Sequence, residues 1–117
     1  MILIKGGKLV ASEGIVQSDI VIEGGRIVKV GSSFPQKGAK VIDAKGMFAL
    51  PGIIDGHVHF RAPENTSKED FSTGSASALA GGVTTIIDMP NYRNPPTTTI
   101  SAYNQKRLIA AAHCRCD

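Results

Sequence analysis

Tryptophan is absent from the chain, tyrosine occurs twice and phenylalanine four times. So sparse an aromatic complement offers no stacking platform for single-stranded nucleic acid. The 13 lysines and arginines form no dense cluster, and a formal net charge of +3 is too small to draw the chain to a phosphate backbone. Long apolar runs are missing as well. The opening MILIKGGKLV is broken by Lys5 and a glycine pair, so it has neither the core of a signal peptide nor the length of a membrane span. Cysteine is scarce: Cys114 and Cys116 flank Arg115 next to His113. That spacing is poor for a disulfide and short of the four ligands of a structural zinc site, so both are read as reduced thiols. What these absences leave is a globular protein with 42% hydrophobic and 20% charged residues, expected in the cytoplasm with no nucleic-acid or membrane partner.

Two patterns divide the chain. Residues 1–50 read as short β-branched runs punctuated by glycine, at Ile2 to Lys5, Asp19 to Glu23, Arg26 to Val30 and Lys40 to Asp43. DIVIEGGRIVKV is a hairpin signal, since Gly24-Gly25 can take the positive φ of a tight primed turn. KGGKLV, with Gly6-Gly7, reads as a second turn of the same kind. This part is expected to be a small all-β, sandwich-like module. Residues 51–117 change character. GIIDGHVHF is a nearly continuous apolar run, as expected of a strand covered on both faces of a parallel sheet. Thr66 with Glu69 has the spacing of a capping box, and predicts a helix that ends at Gly81-Gly82. VTTIIDM is a second buried strand. A second helix is expected from about Thr99 to His113, with Ile100, Tyr103 and Leu108 turned inward. The order strand, helix, strand, helix is that of α/β folds built on parallel strands.

In such folds chemistry collects at the carboxyl ends of the strands. His57, His59 and Arg61 stand there on the first strand, and Asp88 and Asn91 on the second. Period-two alternation puts the two histidines and Arg61 on one side of an extended segment, with Val58 and Phe60 pointing the other way into packing. Two imidazoles side by side can chelate one cation, and a guanidinium just beyond can hold an anion. Each residue also has a plainer reading. A bare His-x-His is common, Arg61 alone could be a surface residue, and Asn91 could start a turn. Asp55 and Asp88 could each be a metal carboxylate or a group orienting nearby backbone. His113 suits the carboxyl end of a helix.

PGIIDGHVHFRAP followed by KEDFSTGSASALAGGVTTIIDMPNYRNPPT resembles the amidohydrolase superfamily, and within it the cyclic amidohydrolases of dihydroorotase type. The resemblance implies a small β-sandwich over residues 1–50, then, over 51–117, the first two βα units of a TIM-type (β/α)₈ barrel. It further implies that His57 and His59 ligate a metal of a binuclear zinc centre, and that Arg61 and Asn91 hold the carboxylate of a small cyclic amide. The implied reaction interconverts dihydroorotate and carbamoyl aspartate in pyrimidine synthesis. Allantoinase- or hydantoinase-type chemistry is the alternative. Arg61 argues against it, because those substrates lack the carboxylate it would bind. A folded, non-catalytic remnant is a third reading. A full barrel takes roughly 250 residues. The resemblance also implies a bridging lysine, further histidines and an aspartate on later strands that this sequence does not contain. The expectation is therefore an amino-terminal fragment, inactive alone, whose open sheet drives homo-oligomerisation.

Overall fold

A computed structural model describes residues 1–63, 65–90 and 96–117. The chain divides into two compact units, Met1–Pro51 and Gly52–Asp117.

The first unit is a five-stranded sheet. β1 (Ile2–Ala11) runs antiparallel to β2 (Gly14–Glu23), and β2 antiparallel to β3 (Arg26–Gly31). On its other edge β1 takes two parallel partners, β4 (Lys40–Asp43) and the two-residue β5 (Phe48–Ala49). Gly24 and Gly25 carry φ of 55° and 75° and form the turn between β2 and β3, as their sequence demands. The Gly6-Gly7 pair corrects its reading as a turn. β1 runs straight through it, with the register against β2 shifting between Ile4 and Gly7. This is a bulge, and the positive φ of Gly6 (71°) serves it. The peptide groups that the bulge withdraws from the ladder find side chains instead. Gly6 N–H donates to Asp19 Oδ1 at 2.8 Å, and Gln17 Nε2 donates to the Gly6 carbonyl. Leu3, Ile20, Val21 and Ala44 are the buried apolar residues of this unit.

The second unit pairs β6 (Ile53–Val58) in parallel with β7 (Val83–Asp88). Between them runs α1 (Phe71–Ala80), and α2 (Ile100–His113) follows β7. The start of α1 corrects the predicted capping box. Thr66 lies in a turn, and the box is Asp70 with Thr73. Asp70 Oδ1 accepts from Thr73 N–H at 2.7 Å, while Asp70 N–H donates to Thr73 Oγ1 at 3.2 Å. A threonine hydroxyl fills the place usually taken by glutamate. Past α2 the chain returns to β7. Asp117 N–H donates to the Thr84 carbonyl and Ile86 N–H donates to the Asp117 carbonyl, at 3.1 and 2.7 Å, the bond pair of a parallel bridge.

The core of this unit is Phe60, Ala62 and Phe71, with Val58, Ile86, Ile109, Ala110 and Cys114 against it. The Phe60 and Phe71 rings meet edge to face, 5.4 Å between centroids. Two expectations change here. Ile100, Tyr103 and Leu108 are exposed, and α2 turns Ala102, Lys106, Ile109 and Ala110 inward at helical spacing. β6 is apolar without being covered on both faces: Ile53 and Ile54 are exposed, and only Val58 near its carboxyl end packs on the core, beside Ile86 of β7. Among the described residues no helix is long and apolar enough to cross a membrane.

Candidate functional site

The carboxyl end of β6 carries an alternation that continues past the last strand residue. His57, His59 and Arg61 are exposed, while Val58 is half-buried and Phe60 and Ala62 are buried. The cause is packing. Phe60 and Ala62 anchor the segment in the core, so the residues between them must face away. The sequence pattern predicts this arrangement, and the structure adds its geometry. The Nε2 atoms of His57 and His59 lie 3.3 Å apart, with the rings inclined at 69°. Two imidazole nitrogens about 2.05 Å from one tetrahedral ion stand about 3.3–3.4 Å apart, so the pair has the separation of a chelate. The same pair can instead share a proton, one ring donating to the other. Among the described residues no three His, Cys, Asp or Glu side chains converge as a metal site, and the histidine pair supplies two donors.

The two aspartates take backbone roles. Asp55 Oδ1 accepts from His57 N–H at 3.1 Å, bracing the first histidine from within its own strand. Asp88, at the end of β7, accepts from Phe60 N–H through Oδ1 at 2.9 Å. Its Oδ2 lies 2.6 Å from Lys106 Nζ on α2. Lys106 is a residue that reading the sequence missed. A lysine beside Arg107 in a helix of mixed polarity gives no signal, and only its spacing from Ala102 and Ala110 marks it as inward-facing. Asn91 lies outside the described residues. His113 is in the last turn of α2, where a partial negative charge gathers. Cys114 and Cys116 are free thiols, their sulfurs 4.0 Å apart. Burial pushes the Cys116 thiol above its ordinary pKa, and neighbouring Cys114 adds to this.

This arrangement of a strand-end histidine pair, an adjacent arginine and a βαβα unit meets its counterparts in known proteins. The amidohydrolase family model matches residues 48–116, and the chain belongs to that family. Within it, the chain is 44% identical over 114 residues to the dihydroorotase of Streptococcus pyogenes, and 44% identical over 108 residues to that of Methanosarcina mazei. These alignments take in 96% and 92% of this chain but 26% and 24% of those enzymes, so the chain spans about a quarter of its relatives' length. Among solved structures, the L-hydantoinase (dihydropyrimidinase) of Arthrobacter aurescens superposes with a TM-score of 0.86 at 34% identity, over 99% of this chain and 26% of that one.

Proposed function

We propose that this chain supplies the first metal-binding and carboxylate-binding residues of a dihydroorotase-type cyclic amidohydrolase. The observation that carries the reading is the 3.3 Å approach of the His57 and His59 Nε2 atoms on the same exposed side as Arg61. His57 and His59 would hold a zinc ion. When bound, such an ion supplies a Lewis acid that polarises a carbonyl and activates water. The protein's own part is orientation. Asp55 fixes the His57 peptide, Phe60 and Ala62 hold the segment down, and Arg61 extends from it as a planar fork able to take a carboxylate bidentately. Asn91 would add an amide donor beside it. The β6–β7 pair is then the beginning of a (β/α)₈ barrel, with residues 1–50 as the accompanying β module. The place of action is the cytoplasm, in pyrimidine synthesis.

Arg61 decides between this and the hydantoinase-type reading, which the structural likeness to L-hydantoinase favours. In a catalytically competent protein that includes these residues, Arg61→Lys should cost about 2–3 kcal/mol of carboxylate recognition. Turnover of dihydroorotate should fall far more than turnover of an uncharged cyclic amide. Equal losses on the two substrates would make Arg61 structural and leave the hydantoinase-type reading ahead.

A further inference from the structure

Asp88 divides its carboxylate between two elements that sequence keeps far apart. One oxygen takes the Phe60 N–H and the other takes the Lys106 ammonium, at 2.9 and 2.6 Å. Their side chains are largely withdrawn from water, 15% exposed for Asp88 and 10% for Lys106. Lys106 is held in turn. Its Nζ donates to the Met89 carbonyl at 3.4 Å and lies 6.0 Å from the centre of the Phe71 ring. A charge-assisted bond to a backbone N–H is short and directional, and a withdrawn ion pair cannot lose one partner without stranding the other. The peptide so fixed is that of Phe60, the residue between His59 and Arg61. We propose that Asp88, anchored by Lys106, is a positioning residue. It sets the angle at which His59 and Arg61 leave β6, so the cation site depends on a carboxylate that is not one of its ligands. The inference rests on the reading of His57 and His59 as metal ligands.

The test uses the 117-residue chain with Cu²⁺ as probe. Binding is followed through the paramagnetic broadening of the imidazole ¹⁵N resonances of His57 and His59, and the amide resonance of Phe60 is read in the metal-free chain. Asp88→Asn cannot serve both partners, because it has one acceptor oxygen and its amide nitrogen must face either the Phe60 N–H or the Lys106 ammonium. It should weaken Cu²⁺ binding by about tenfold or more, as groups behind a metal ligand commonly do, and shift the Phe60 amide. Adding Lys106→Gln restores a neutral hydrogen-bonded pair and should recover most of the affinity. If Asp88→Asn binds Cu²⁺ as well as the parent, Asp88 positions nothing and the proposal falls while the histidine reading stands. If both the single and the double variant lose binding, Asp88 is itself a ligand, which also overturns the proposal. Should His57→Ala and His59→Ala leave Cu²⁺ binding intact, the metal reading fails and this inference fails with it. If Asp88→Asn does not fold, Lys106→Gln alone decides the matter. It removes the ionic anchor, so Phe60 amide exchange should quicken and Cu²⁺ affinity fall severalfold, and no change in either overturns the proposal.

Discussion

Phe60 shows how one side chain couples packing to chemistry. It is 4% exposed and sits between His59 and Arg61, so the residue that seals the core also spaces the two exposed groups. It needs room, and Gly74 on α1 provides it: a Cβ built there would overlap the Phe60 ring. Alanine favours a helix over glycine by about 1 kcal/mol, so an exposed position would gain from Gly74→Ala. Here overpacking should win, at a typical cost of about 1–3 kcal/mol. Urea titration should show a lower midpoint for Gly74→Ala, and a raised one would mean the Phe60 ring has space to yield. The site's alternation was legible from sequence because it needs only period-two geometry. The Asp88–Lys106 anchor was not, since it joins residues on separate elements whose meeting no local pattern encodes.

At the scale of elements, caps and turns carry most of the local specification. The Asp70 carboxyl is held below the usual carboxylate range, first by the Thr73 N–H and then by the Thr73 hydroxyl. A folded-state pKa below the unfolded one means that this contribution is full above the unfolded value and is lost as pH falls through the folded one. Acid should therefore loosen the first turn of α1, and Asp70→Asn should flatten that part of the pH dependence. Amide exchange at Thr73 between pH 5 and strong acid checks it, and identical profiles for the two proteins would discount the cap. The Gly24-Gly25 hairpin and the start of α2 at its cap Thr99 were readable because one residue type meets one backbone demand. Gly6-Gly7 misled because a bulge and a turn both call for positive φ. What separates them is the Asp19 carboxylate 13 residues away. The inward face of α2 misled for a related reason: burial there goes to Ala102 and Lys106, while the more apolar Ile100 and Leu108 are 77% and 66% exposed.

For the molecule as a whole, the notable quantity is apolar surface left uncovered. Ile53, Ile54, Ile87, Leu79, Ile100 and Leu108 of the second unit are all exposed. Burying such surface gains on the order of 25 cal/mol per Å². Self-association is the expected outcome, and sedimentation velocity should find a dimer or larger species at micromolar concentration. A monomer that stays monodisperse as concentration rises would contradict this.

The placement of β1 has a kinetic consequence. Its antiparallel partner β2 follows directly across the Ser12-Glu13 turn, whereas its parallel partner β4 pairs Lys40 back to Ile2. Closing the short loop costs less chain entropy than closing the long one, and contacts near in sequence tend to form first. The β1–β2–β3 meander is therefore the natural nucleus, onto which β4 and β5 close late. A destabilising change such as Val41→Ala should leave the refolding rates of a chevron unchanged and appear almost wholly as faster unfolding. Slowed refolding would place β4 in the nucleus. The edge of β1 that waits for β4 would then be the most vulnerable surface of the newborn unit, open to any passing strand until its own chain returns to claim it.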